Sequence, residues 1–166
     1  MRQLFPLAIV AVLCAVGCSK PGASNGAGAS AQATPAAASV PAGNPCDRKL
    51  ISQADVAPLL DEAISSEKAV DPQTCRFETT GFSSVSISLR PGLGDVSVDQ
   101  IKSGATNQTV TPLAGVGERA VWDPTLKQVS ATKNNVLCEI GAMGPATKNA
   151  TSDKVGALCS KIFAAM

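Results

Sequence analysis

Residues 126–143 read LKQVSATKNNVLCEIGAM and contain two strand patterns separated by a turn pattern. Two runs within it, Leu126 to Thr132 and Val136 to Met143, are predicted strands, and Asn134-Asn135 between them is typical of a tight hairpin turn. In the second run the side chain of Cys138 lies on the same face as its apolar neighbours two positions away, because side chains alternate along a strand. The stretch therefore predicts an antiparallel sheet with one buried face.

Two earlier runs alternate apolar and polar side chains, as strands with one exposed face do. They are Thr74 to Thr79 and Ser84 to Arg90, and Gly81 between them predicts a second hairpin. Asp71-Pro72 is a predicted turn before the first run. Shorter strands are predicted at Thr109 to Leu113 and Glu118 to Trp122.

Three helices are also predicted, one before the strands in chain order, one between strands and one after the last strand. One begins at Ser52, where Asp55 three residues later completes a variant capping box, and Pro58 should keep it short because proline removes an interior hydrogen bond. Another is predicted from Asp95 to Ser103, and the last, from about Thr151 to the end, has the clearest helical period. We therefore predict an α+β domain, an antiparallel sheet packed by a short N-terminal helix and a C-terminal helix.

The first residues have the three parts of a secretory signal. Met1-Arg2-Gln3 carries positive charge, and the apolar run Leu4 to Val16 is too short for a membrane-spanning helix, which needs about 20 residues. The ending Ala15-Val16-Gly17-Cys18 resembles the cleavage motif of bacterial lipoproteins. The resemblance implies that residues 1–17 are removed and that Cys18 carries a thioether-linked diacylglyceryl group and an acyl chain such as palmitate on its amine. An ordinary secretory signal with an incidental cysteine is the alternative.

The residues after Cys18 indicate where the domain is held. Ser19 takes the position at which Gram-negative lipoproteins carry aspartate when they stay in the inner membrane, so the resemblance predicts the outer membrane, with the domain in the periplasm or at the cell surface. Residues 18–44 are rich in Ala, Ser, Gly and Pro, with no charged residue after Lys20. Such a composition cannot offset the entropy of ordering, which predicts a disordered tether with a mean reach of about 25 to 30 Å.

The folded domain, residues 45–166, contains four cysteines. In an exported chain an even number of cysteines indicates disulfides, and four cysteines permit three connectivities. A helix folding back on the first strand would bring Cys46 to Cys75, and packing of the last helix on the sheet would bring Cys138 to Cys159. We predict these two bonds. No metal site is expected, because neither a CxxC pair nor a histidine accompanies the cysteines.

The composition excludes several classes of function. The chain has no histidine, which rules out Ser-His-Asp and Cys-His catalysis. Loss of Arg2 with the signal would leave a formally neutral chain with scattered basic residues, so no nucleic-acid partner is expected. Gly115-Val116-Gly117 lacks the rest of a dinucleotide fingerprint and is predicted to be a turn between strands. We expect neither enzymatic activity nor a cofactor.

Three segments together carry a second resemblance. Cys46 with Ile51-Ser52-Gln53-Ala54-Asp55-Val56-Ala57, then Cys75-Arg76-Phe77, then residues 115–122, GVGERAVW, resemble a group of small actinobacterial lipoproteins of unknown function. That group is similar in turn to the extracellular sensor domain of a mycobacterial serine/threonine kinase. The resemblance implies a two-disulfide α+β domain with a surface groove and no established catalytic residues.

Two residues are candidates for contact with a ligand or partner. Trp122, near a strand end beside a glycine-rich loop, could stack on a sugar or peptide, although packing at the core or its rim is the favoured interpretation. Arg119 on the same strand is expected to face the same side, which makes it a candidate contact for an anionic ligand. By elimination we expect a non-catalytic envelope lipoprotein that binds a protein partner. A small-ligand sensor or carrier near Trp122, and an immunity lipoprotein against a periplasmic toxin, are the alternatives.

Overall fold

A computed structural model describes residues 43–94, 98–101 and 110–166. The predicted signal, Cys18 and the predicted tether as far as residue 42 lie outside the described residues. In these ranges seven antiparallel strands form one sheet, with a short helical segment before it and a longer helix at the C-terminus, so the predicted α+β class is confirmed. No helix in the described ranges has the length and apolar character needed to cross a membrane.

The sheet has β7 near its centre, paired with β3 on one side and β6 on the other. The strand order is β1-β2-β3-β7-β6-β5-β4, and every neighbouring pair is antiparallel. The helical elements with both ends in the described residues are α1, Gln53–Val56, a 3-10 turn at Ala57–Leu59, and α2, Ser152–Ala164. The strands are β1 Ile64–Asp71, β2 Thr74–Thr79, β3 Ser84–Pro91, β4 Thr111–Pro112, β5 Arg119–Asp123, β6 Gln128–Lys133 and β7 Val136–Met143.

The hairpin predicted from residues 126–143 is confirmed. β6 pairs with β7, and Asn134 and Asn135 at the turn have φ of 50° and 60°. A two-residue turn with both φ values positive matches the right-handed twist of its strands, and asparagine tolerates that conformation better than most residues. The second predicted hairpin is confirmed by the pairing of β2 with β3 around Gly81.

β1 is a strand that the sequence did not predict. It forms one edge of the sheet, and six of its eight residues are exposed, so it shows no alternation of buried and exposed positions. Its pairing with β2 is irregular at two points. Such bulges, together with the charges of Glu67 and Lys68, protect a sheet edge from adding another strand.

The predicted helix from Asp95 to Ser103 is only partly described. Residues 98–101 are helical, and Val98 is buried. Positions 95–97 and 102–103 lie outside the described residues. Thr109, the first residue of the strand predicted from Thr109 to Leu113, does so as well.

The start of α1 follows the predicted capping pattern. The backbone N–H of Ser52 donates to the Asp55 carboxylate at 2.9 Å, and the Ser52 hydroxyl donates to the same oxygen at 2.7 Å. Lys161 of α2 lies 2.6 Å from the other carboxylate oxygen and so joins the two helices. Hydrogen bonds from Lys161 and Ser52 lower the pKa of Asp55 to about 2. Pro58 lies in the 3-10 turn that ends this helical segment, as its effect on helices predicts.

One face of the sheet, the inner face, packs against the helices. Cys138 and Ile140 of β7 point to this side, and α2 covers them with Val155, Cys159 and Ile162, all of which are buried. The predicted Cys46–Cys75 disulfide is present and fixes the segment before α1 to β2, with the two Cα atoms 5.2 Å apart.

Cys138 and Cys159 lie next to each other in the core. The structure holds them as buried thiols and not as a disulfide, and Cys159 Sγ lies 3.8 Å from the carbonyl oxygen of Cys138. The packing that should bring them together is therefore confirmed, and the bond itself stays a prediction. Burial and the proximity of Cys159 raise the pKa of the Cys138 thiol well above its ordinary value.

Candidate functional site

The outer face of the sheet, opposite α2, is the candidate site. Because Cys138 and Ile140 point inward, Glu139 and Gly141 point outward. The register places Ser88 of β3 and Ser130 of β6 on either side of Glu139, so a row of polar side chains crosses the middle of the outer face. This face carries the polar half of the alternation that the sequence shows in β3.

One end of the outer face, at β5, is covered. Arg119 forms an ion pair with Asp99, which places the helical residues 98–101 beside this end. Val121 and Leu137 are outward-facing positions at the same end, and both are buried. The part of the outer face formed by β2, β3, β7 and the neighbouring end of β6 contains the hollows described next.

The prediction that Arg119 and Trp122 face the same side is wrong. They are three positions apart in β5, and side chains separated by an odd number of positions point to opposite faces. Trp122 pairs with Val129 and packs, partly buried, against the core on the inner face. Arg119 pairs with Thr132 on the outer face and forms an ion pair with Asp99. The structure therefore does not bring the two candidate residues together.

A hollow of about 320 Å³, the central hollow, lies on the outer face. Its polar side is formed by Arg90, Gln128 and Glu139, and its apolar side by Leu126 and Met143. The Glu139 carboxylate lies 3.4 Å from Arg90 Nε and accepts a hydrogen bond from Gln128 Nε2 at 3.3 Å. The two formal charges in the lining therefore cancel.

Gly141 lies in the floor of the central hollow. Its φ is not positive, and the three atoms nearest to a Cβ built there all belong to Gln128, at 3.6 Å or more, which is ordinary contact. Glycine inside a strand is less stable than alanine by about 0.5 to 1 kcal/mol. Neither backbone conformation nor space requires glycine at this position, and its effect is to keep the hollow open.

A second hollow, of about 280 Å³, adjoins the first on the outer face. Ser84 lines the second hollow and pairs directly with Met143, which lines the first. Glu78 forms an ion pair with Lys68 at 2.8 Å, and the hydrogen bond from Lys68 is the main cause of the lowered pKa of Glu78. Arg76 lies 3.9 Å from the same carboxylate, and Arg76 and Glu78, the two charged residues in the lining of this hollow, carry opposite charges.

Phe82 borders the second hollow at the tip of the β2–β3 hairpin. Its side chain is 95% exposed, and its φ is +62°. A three-residue hairpin loop often ends in a left-handed residue, but glycine or asparagine usually occupies that position. A bulky residue there costs about 1 to 2 kcal/mol, and exposure of the ring gives up its hydrophobic stabilisation as well. Folding alone therefore does not account for phenylalanine at this tip.

The chain enters the described domain at the end of the sheet opposite Phe82. The Asn44 side-chain amide donates hydrogen bonds to the carbonyl oxygens of Asp71 and Thr74, which fixes the entry point at the turn between β1 and β2. β2 has six residues and therefore spans about 20 Å at about 3.3 Å per residue. Phe82 follows its far end.

One group in the described residues has the spacing of metal ligands. The ligand atoms of Cys46, Glu67 and Cys75 lie within 4.8 Å of one another. The two sulfur atoms are bonded to each other, so they are not thiolate ligands, and a single carboxylate remains. This group does not fit a metal ion while the disulfide is intact.

Comparison of the chain with protein-family models, with curated proteins and with solved structures finds no match. The two resemblances noted in the sequence therefore stay predictions. The outer face itself carries the candidate site. Its key residues were not among the candidates from the sequence: Phe82, Gly141 and Met143. Two features of the sequence could have identified this site. One is the aromatic residue Phe82 directly after Gly81 in a hairpin turn, and the other is Gly141 within the strand pattern of β7.

Proposed function

We propose that this protein is a lipid-anchored envelope protein whose domain binds a protein partner, without catalysis, on the outer face of its sheet. The observation that carries the proposal is a set of three large apolar side chains exposed around the two hollows. Phe82, Met143 and Leu126 are 95%, 69% and 50% exposed. Exposed apolar groups set among polar side chains are typical of protein interaction surfaces, and aromatic anchors contribute much of their binding energy.

A protein partner fits this surface better than a small ligand does. Small-molecule sites enclose most of the ligand surface in a cleft, whereas Phe82 projects from a hairpin tip and encloses nothing. The alternative of a ligand stacked on Trp122 receives no support from its position, since the indole packs against the core on the inner face. Balanced charges in both hollows favour a partner surface without a strong net charge.

The point where the chain enters the domain and the exposed Phe82 ring lie at opposite ends of β2. A lipid on Cys18 would hold the domain through the tether, and the chain enters the domain beside Asp71 and Thr74. Phe82 lies beyond the other end of β2. With a tether reach of about 25 to 30 Å, this arrangement leaves the outer face free to meet a partner in the envelope.

Replacing Cys18 with serine is expected to release the protein from the membrane. Without the thioether-linked lipid, the described domain has no membrane-spanning helix to hold it, and several acyl chains are needed for stable anchoring. Fractionation of cells and intact-mass measurement of the product check this expectation. Cys14→Ser is the matched control, because Cys14 lies in the predicted signal and its loss should leave the lipidated, membrane-bound product unchanged. Membrane retention of a Cys18→Ser protein whose mass shows that the signal has been removed would contradict the anchor.

A photo-cross-linking amino acid placed at Phe82 or Met143 of the lipidated chain in cells is expected to form protein adducts. The same amino acid at Ala157, which is exposed on α2 on the other side of the domain, is the control and should give none. When the photo-cross-linking amino acid is at position 143, the additional substitution Phe82→Ala should lower the adduct yield, because it removes the aromatic ring proposed to bind the partner. Equal yields at all three positions, or no adduct at either outer-face position, would contradict binding at this face.

A further inference from the structure

We propose that the Phe82 ring of a second copy of this chain occupies the central hollow, in a symmetric dimer whose outer faces pack together. The inference rests on the proposed function, because it names the protein that docks on the same face. In such a two-fold arrangement each copy inserts its own Phe82 into the hollow of the other, so one surface supplies both halves of the contact.

The first step is that the chain carries a free aromatic ring on the correct face. Phe82 is the one aromatic side chain among the described residues that is exposed, since Phe77 and Phe163 are buried and Trp122 packs against the core. Residues 18–42, 95–97 and 102–109 contain no aromatic residue. Phe82 borders the second hollow, which lies on the outer face next to the central one.

The second step is that the central hollow has the shape and chemistry for an aromatic ring. The floor at Gly141 has no side chain, although space and backbone conformation would admit one. An aromatic ring packed over a strand glycine replaces the missing side-chain contacts. Met143 and Leu126 form the apolar side, and a thioether sulfur makes favourable contacts with ring edges.

The third step is that nothing in the charges opposes contact between two copies. The lining charges of Arg90 and Glu139 cancel, and those of Lys68, Arg76 and Glu78 sum to a single positive charge. The chain after removal of Arg2 would be formally neutral. Two identical faces therefore meet without strong repulsion, which like-charged surfaces would impose.

The contact made by two rings and their polar surroundings is small, so the dimer should be weak. Interfaces at the low end of the size range are typically transient. Anchoring both copies on one membrane would raise their effective concentration, so that weak affinity is enough for pairing. The flexible tether predicted before residue 45 would permit the required orientation.

Sedimentation velocity of the full lipidated chain in detergent, over a range of concentrations, tests the inference. The wild-type protein should shift from monomer to dimer as its concentration rises. Phe82→Ala and Gly141→Ala should each weaken dimerisation by about tenfold or more, the first by removing the ring and the second by placing a methyl group on the floor of the hollow, where the ring would pack. Val70→Ala, which removes an exposed apolar side chain from the edge strand β1, is the matched control and should leave dimerisation unchanged.

Mixing the two variants gives the decisive comparison. A heterodimer of Phe82→Ala with Gly141→Ala contains one contact with both ring and hollow intact, whereas neither homodimer contains any. The mixture should therefore associate more tightly than either variant alone, and thermal unfolding of each variant shows beforehand that it is folded. If Gly141→Ala does not fold, the comparison of Phe82→Ala with Val70→Ala tests the inference. Phe82→Ala should then lose the dimer, and Val70→Ala should keep it.

Two results would overturn the inference: a wild-type chain that stays monomeric at all concentrations, or variants and mixture that all associate as the wild type does. A monomeric chain that nevertheless cross-links a different protein at Phe82 would leave the proposed function standing and remove only the dimer. Absence of both dimer and cross-link would remove both.

Discussion

Replacing Cys46 and Cys75 together with alanine is expected to lower the free energy of unfolding of the domain by about 3 to 4 kcal/mol. The bond joins residues 29 positions apart, and cross-linking a loop of that length removes chain entropy from the unfolded state by roughly this amount. The loss is a large part of the roughly 5 to 15 kcal/mol by which domains of this kind are ordinarily stable. Urea unfolding followed by circular dichroism measures it.

Both cysteines must be replaced in this experiment, because a single substitution would leave a thiol free to form a wrong disulfide. The control is the same comparison in reductant, where the wild type loses its bond and the difference should shrink to the packing contribution of Cys75, which is buried. Equal stability of the variant and the oxidised wild type would contradict a stabilising role. The bond also fixes the point where the tether joins the domain, so its loss should loosen Asn44 from the β1–β2 turn.

The parts of the fold that follow local rules could be predicted from the sequence. β2 and β7 have the predicted bounds because β2 alternates between buried and partly exposed positions over its whole length and β7 does so from Cys138 onward. The Ser52–Asp55 cap and the double-asparagine turn depend on residues that are neighbours in the chain. The Cys46–Cys75 bond followed from the folding of one helical segment back onto one strand.

β1 could not be predicted in the same way because the signal that identifies strands is burial of one face. Most of β1 is exposed, and its hydrogen bonds to β2 hold it at the edge without a run of apolar side chains. The pattern ISSEKAVD therefore gives no alternation to detect. Its place in the sheet depends on long-range pairing and not on its own composition.

The candidate site depends on what covers each face, and a strand pattern does not contain that information. The serines of β3 indicate an exposed face but not whether another element packs over it. Residues 98–101 cover one end of the outer face, and Arg119 is engaged there, which no local pattern indicates. Phe82 and Gly141 can be identified as site residues only when the exposure of the ring and the space above the glycine are known.

The exported protein is expected to contain a second disulfide, between Cys138 and Cys159. Both sulfur atoms lie in the core on facing positions of β7 and α2, and the residues are 21 positions apart in the chain. The chain-entropy model gives about 3 kcal/mol for closing a loop of that length. Alkylation of the denatured, unreduced protein followed by mass measurement should find no free thiol in the domain of the envelope form, whereas cytosolic expression should give labelled Cys138 and Cys159.

The timing of this bond follows from the burial of its thiols. The thiolate is the reacting species in disulfide exchange, and the raised pKa of Cys138 together with complete burial of both sulfur atoms makes the folded, reduced domain a poor substrate. An oxidised thiol-disulfide oxidoreductase must therefore accept the two electrons and two protons from the thiols before α2 packs on the sheet. Refolding the reduced chain with oxidised glutathione present from the start should form the bond quickly, while the same oxidant added after folding should act slowly. Equal rates in the two experiments would mean that α2 opens readily, and free thiols in the envelope form would show that the core keeps the pair reduced.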